Sequence, residues 1–118
     1  MEKTYREKCG YIGKHRYHIN NYKMMSGGGN GKPTVYLFKA DFCGHCQSFK
    51  PTWDKLQQQY KERGINFVTY DSDQDGGMME RYNVMGFPTI IMETGNEIKE
   101  FDDMRTIEKL SKFIDSNL

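Results

Sequence analysis

The run Phe42-Cys43-Gly44-His45-Cys46 decides how this chain is read, because of what stands on either side of it. Before it, Val35-Tyr36-Leu37-Phe38 is a continuous apolar stretch, as expected of a strand buried on both faces of a parallel sheet. After it, Cys46, Phe49, Trp53, Leu56 and Tyr60 recur at spacings of three and four. That is one apolar stripe on a helix of about five turns, expected to end near Gly64. Pro51 falls inside the stripe and predicts a kink rather than a break. The two cysteines therefore open a helix directly after a buried strand.

That position suits disulfide exchange. The chemistry needs two thiols close enough to bridge, one of them partly ionised near neutral pH. At a helix start, unpaired backbone N–H groups and the positive end of the dipole stabilise a thiolate at Cys43. Cys46, one turn on, faces the same way and can attack a mixed disulfide formed at Cys43. His45 between them adds a potential cation that stabilises the reduced form. A zinc site would have to recruit Cys9, His15 and His18 from far away in sequence, so zinc is set aside and no metal is expected.

Further along, Ile65–Tyr70 reads as a strand and Met78–Tyr82 as a short helix. Thr89–Met92 reads as a strand, Gly95-Asn96 as a hairpin turn and Ile98–Phe101 as the partner strand. Ile107, Leu110, Ile114 and Leu118 mark a closing helix with Thr106 as its N-cap. The order implies an α/β fold, a central mixed sheet flanked by helices, built from a right-handed crossover unit and a hairpin plus helix.

Residues 34–118 resemble the thioredoxin superfamily, and within it the catalytic a-type domain of protein disulfide isomerase. The matching pieces are Cys43-Gly-His-Cys46, Phe49-Lys-Pro-Thr-Trp53, Gly86-Phe-Pro-Thr89 and Arg105-Thr-Ile107. The resemblance implies a thioredoxin fold and a cis bond before Pro88, opposite a redox-active Cys43–Cys46 disulfide that serves in place of any cofactor. It also implies that the backbone at Phe87 pairs with an extended client segment, with Phe42, Gly44, Phe87 and Pro88 as the substrate-binding set. Arg105 matches a family arginine that turns toward the second cysteine and lowers its pKa; otherwise it is a solvated surface charge. Three departures stand out. The family's buried acid, six residues before the nucleophile, is Leu37, and the usual nearby lysine is Thr69. Phe42 replaces a tryptophan. Without the acid, release of clients by Cys46 is in question.

At 118 residues the chain is long enough for one domain with a real core. Its net charge of +1 is unevenly spread: residues 1–33 carry +5 and residues 34–118 carry −4. The overall charge gives no strong pull toward nucleic acid or anionic membrane. The division expected is a basic, Tyr-rich segment with a Gly-rich connector over 1–33, then a thioredoxin-like domain over 34–118. The segment Tyr5–Tyr22 is expected to pack as a strand or hairpin, with Tyr17–Tyr22 a candidate strand, rather than to grip nucleic acid. Three cysteines argue against a structural disulfide framework. Cys9 is expected to be a free thiol, with a regulatory or intermolecular disulfide as the alternative.

Two other motifs fail. Asp71-Ser-Asp-Gln-Asp-Gly76 opens like a calcium loop, but the bidentate glutamate falls on Tyr82, so turn and helix-capping chemistry is expected. Gly27–Lys32 hints at a phosphate loop, but Pro33 stands where Ser or Thr would bind magnesium. The methionines, including Met78, Met79 and Met85, read as packing groups rather than copper ligands.

The expected function is thiol–disulfide exchange with protein thiols and disulfides, drawing on an unidentified electron donor or acceptor protein. The alternative is a thioredoxin-fold binding or scaffold module with weak catalysis, motivated by Leu37. A glutathione enzyme of the glutaredoxin type is disfavoured by Gly44-His45 where Pro-Tyr would stand. No apolar run is long enough to span a bilayer, and no secretory or retention signal is present, so a cytoplasmic monomer is expected. A lone domain of this kind also resembles oxidoreductases carried by large DNA viruses, which would place it in a viral factory or virion.

Overall fold

The computed structural model describes Cys9, Gly10, residues 32–95 and residues 97–118. Its elements are β1 (Thr34–Lys39), α1 (Gly44–Gln59), β2 (Asn66–Asp71), α2 (Gly76–Arg81), β3 (Thr89–Thr94), β4 (Glu97–Glu100) and α3 (Ile107–Ser116). The four strands form one sheet in the order β2-β1-β3-β4. β1 runs parallel to β2 and antiparallel to β3, and β3 and β4 form an antiparallel hairpin. The sheet is therefore mixed, as expected. The expected strand at Tyr17–Tyr22, the packing of Tyr5–Tyr22 and the turn residue Asn96 lie outside the described residues.

β1 is apolar throughout because both its faces are covered. Val35 and Leu37 point into a core with Phe49, Trp53, Leu56 and Tyr60 of the α1 side and Leu110 and Ile114 of α3. Tyr36 and Phe38 point the other way, toward Met79, Tyr82, Phe87 and Ile91. One apolar run thus feeds two cores, which is what distinguishes a central strand from a half-exposed one.

α1 continues through Pro51. It stops at Gln59 rather than near Gly64: Tyr60 already leaves helical geometry at φ −106°, ψ 13°. The apolar periodicity runs one residue past the helix because the Tyr60 ring is buried and its hydroxyl donates to Asp115 of α3 at 2.7 Å. Gly64, at φ +74°, serves the turn into β2 instead. At the start of α3, Thr106 Oγ1 accepts a hydrogen bond from the Lys109 N–H at 3.2 Å, the N-cap read from the sequence.

The acidic loop between β2 and α2 bonds to its own backbone. Asp71 Oδ1 accepts from Asp73 N–H, and Asp75 Oδ2 accepts from Asp71 N–H. The turn reading is correct. The capping half is not, because Asp75, although at the N-cap of α2, spends its carboxylate on Asp71. Among the described residues no helix is long and apolar enough to cross a membrane.

Candidate active site

A tight connection joins β1 to α1. Cys43 N–H donates to Ala40 O at 3.1 Å, and the Cys43 carbonyl then accepts from Cys46 N–H at 3.0 Å and Gln47 N–H at 3.1 Å. Cys43 is thus the N-cap of α1, with extended backbone at φ −92°, ψ 117°. As N-cap it stands at the positive end of α1, where negative charge is favoured, although its side chain makes no capping hydrogen bond. Cys46 lies one turn on and is buried.

The other wall is the chain entering β3. The Phe87–Pro88 peptide bond is cis, and Phe87 O lies 3.9 Å from Cys43 Sγ. Thr89 Oγ1 donates to Gly86 O at 2.7 Å, fixing this bend. Phe42 meets Phe87 edge-to-face at 6.5 Å between ring centroids. Phe42, Cys43, Phe87 and Pro88 are therefore brought to one place, while Gly44 and His45 face solvent on the first turn of α1.

Charges act on Cys46 from several sides. Burial pushes its thiol up; a backbone hydrogen bond from Ala40 and the positive charges of Arg105 and Lys39 pull it down, and Asp41 pushes it up, leaving it raised. Burial in turn lowers Arg105, with the field of Cys46 opposing. Behind Cys46 lies a cavity of about 260 Å³ lined in part by Leu37, Trp53 and Thr69. Leu37 is buried, and Thr69 accepts the Trp53 indole N–H at 3.1 Å, so the place expected for an acid is apolar. The same cavity is lined by Lys39 and Asp41, an ion pair in which Lys39 also bonds Asp71 at 3.0 Å. Sequence reading missed this pair. Its only sequence signal was two charged residues where β1 gives out, short of Cys43.

One expectation about sulfur is corrected. Cys9 is not free: it is disulfide-bonded to Cys43, with Cα atoms 5.4 Å apart. The disulfide present is accordingly not Cys43–Cys46, and Cys46 is the free cysteine. The physical reason is backbone pairing. Gly10 N–H donates to Phe87 O at 2.7 Å and Cys9 forms a parallel bridge with Phe87, which delivers the Cys9 sulfur to Cys43.

Asp41, Asp71 and Asp73 could together offer three oxygens to a cation, but Lys39 already bonds two of them. The cluster is explained by that lysine.

A family description named Thioredoxin matches residues 21–116. Among curated proteins, the chain is 35% identical over 86 residues to protein disulfide isomerase-like 2-1 of Oryza sativa subsp. japonica, covering 70% of this chain and 24% of the relative. It is 33% identical over 91 residues to protein disulfide-isomerase A4 of Homo sapiens, covering 73% of this chain and 14% of the relative. The chain thus spans a quarter or less of these relatives. Among solved structures, the first thioredoxin domain of mouse protein disulfide-isomerase A4 superposes with a TM-score of 0.67 at 24% identity, covering 74% of this chain and 64% of that one. The Drosophila germline thioredoxin Deadhead gives 0.65 at 24% identity, covering 75% and 84%. These structural likenesses speak for the fold. The viral resemblance draws no support from them.

Proposed function

The chain belongs to the thioredoxin family, and from that premise we propose that Cys43 and Cys46 are the working pair of a thiol–disulfide oxidoreductase acting on protein clients. The observation that carries this reading is the placement of both cysteines in the opening turn of α1, against the cis Phe87–Pro88 bend. The isomerase names of the curated relatives support it in kind.

In the reducing direction, the Cys43 thiolate attacks one sulfur of a client disulfide. The client S–S bond breaks, the other client sulfur leaves as a thiolate and takes a proton, and a Cys43–client disulfide forms. Cys46, once deprotonated, attacks Cys43 Sγ and expels the second client thiol. The product is a Cys43–Cys46 disulfide, and two electrons have passed to the client. The reverse sequence oxidises a client dithiol. Phe87 supplies backbone pairing to the client strand, which suits sequence-tolerant recognition. Arg105 and Lys39 favour the Cys46 thiolate during release.

Cys43→Ser is the direct test. Insulin reduction and refolding of a scrambled substrate should both fall by roughly 10³-fold or more, the scale expected when a nucleophile is removed. Full activity in that variant would sink the reading. Direction is a separate measurement: a reduction potential near about −180 mV supports isomerase-like work and about −270 mV a thioredoxin-like reductase. Leu37 favours the second reading, a client-binding module with weak catalysis. Fast single-turnover release from Cys43 in the isolated protein would exclude it.

A further inference from the structure

The groove beside Pro88 is not empty. Cys9 and Gly10 lie in it as a client strand would: Cys9 pairs with Phe87, Gly10 N–H donates to Phe87 O at 2.7 Å, and the Cys9 sulfur is bonded to Cys43. Cys43 is covered to 0% exposure and Phe87 to 1%. A sulfur with no accessible surface cannot be reached by an external thiol or client.

The fit depends on the residue after Cys9. Gly10 has φ +89°, and a Cβ there would lie 3.0 Å from both Cδ2 and Nε2 of His45. A side chain would be strained by the backbone and pressed against the imidazole. Gly10 is thus the residue that lets this segment seat.

We propose that Cys9-Gly10 is a built-in client, and that its disulfide with Cys43 caps the oxidised site in a resting form. The proposal rests on Cys43 being the reactive thiol. It needs no outside oxidant. Starting from a Cys43–Cys46 disulfide, the Cys9 thiolate attacks Cys43 Sγ. The Cys43–Cys46 bond breaks, the Cys9–Cys43 bond forms, and Cys46 leaves as a thiolate that takes a proton. One disulfide is exchanged for another. The cap opens by the reverse attack of Cys46 on Cys43, or by an external thiol attacking the half-buried Cys9 sulfur, which joins that thiol to Cys9 and releases Cys43 as a thiolate.

Two features favour the capped isomer. Cys9 is seated against Cys43 by its pairing with Phe87 and the Gly10–Phe87 hydrogen bond, and as a tethered thiol it outcompetes dilute external clients. The buried Cys46 thiol is pushed up, so little of it is present as the thiolate that would reopen the cap.

The test is a disulfide map of the full chain. Reduced protein is treated with one equivalent of diamide, quenched in acid, alkylated and digested with trypsin. The peptides spanning 9–14 and 40–55 should be recovered joined, with Cys46 as the alkylated cysteine. Cys46→Ser should give the same joined peptides in a monomer. Gly10→Val should lower the joined fraction at least about fivefold relative to Cys43–Cys46, the scale of strain at such a position. Cys9→Ser should oxidise a two-cysteine client peptide faster than wild type. Recovery of Cys9 fully alkylated with Cys43–Cys46 linked, or only intermolecular disulfides from Cys46→Ser, overturns the cap. If the map shows the cap but Cys9→Ser is inactive toward the client peptide, the oxidoreductase reading fails instead.

Discussion

Cys46 is where single side chains decide most. In the proposed exchange its thiol must ionise to release a client, yet it shares its cavity with apolar Leu37 and Trp53, and burial opposes its charge. Arg105 and Lys39 work against burial, and Asp41 works with it. Their signs can be tested separately. In a Cys9→Ser/Cys43→Ser background Cys46 is the one remaining thiol, and its alkylation rate as a function of pH reports its ionisation. Arg105→Gln should move that profile to higher pH, because a positive charge favouring the thiolate is lost. Asp41→Asn should move it to lower pH, because a negative charge opposing the thiolate is lost. A profile unmoved by Arg105→Gln would reduce the arginine to a surface charge. The match of Arg105 to a family motif suggested its role from sequence, whereas Lys39 and Asp41 carried no motif and emerge only from the fold.

At the scale of elements, the readable ones were those whose apolar pattern answers to packing close by. β1 was legible because an unbroken apolar run is explained by cover on both faces, and α3 because Thr106 caps a stripe that buries Leu110 and Ile114. The end of α1 was misread, since Tyr60 is held by tertiary contacts while the backbone has already turned. The Cys9–Cys43 link joins residues 34 apart through one backbone pairing, and no periodicity announces it. The α3 reading makes a graded prediction. Thr106→Ala removes an acceptor from an exposed cap and should cost about 1 kcal/mol. Leu110→Ala opens a cavity in the core between the sheet and α1 and should cost about 2–5 kcal/mol. Urea unfolding of both variants checks the order, and equal losses would mean α3 is held by its cap rather than its apolar face.

Across the whole molecule, the two sides of the sheet are built from different materials. The α1 and α3 side is apolar around Leu37, Leu56, Leu110 and Ile114. The opposite side holds the Tyr36 ring in contact with both Tyr70 and Tyr82, and Tyr36 and Tyr82 both donate to the buried Glu93, at 3.3 and 2.9 Å. Burial raises the pKa of all three tyrosines, and of Tyr60 on the first side, above the ordinary value of 10.0. In the unfolded chain these phenols lose their protons near pH 10 while the folded protein keeps them, so above that pH the unfolded state binds fewer protons and is favoured. Stability contributed by the buried phenols is therefore complete below about pH 10 and drains away as pH rises toward their folded values. Melting temperatures should be flat through pH 8–9 and drop steeply above about pH 10. The measurement belongs in a variant with all three cysteines replaced by serine, so that thiol ionisation makes no contribution. Adding Tyr36→Phe and Tyr82→Phe to that variant should lower stability at neutral pH, since Glu93 loses both donors, and should flatten the alkaline limb. An alkaline limb equally steep with and without those two hydroxyls would mean that the loss arises elsewhere than in the buried tyrosine–glutamate face of the sheet.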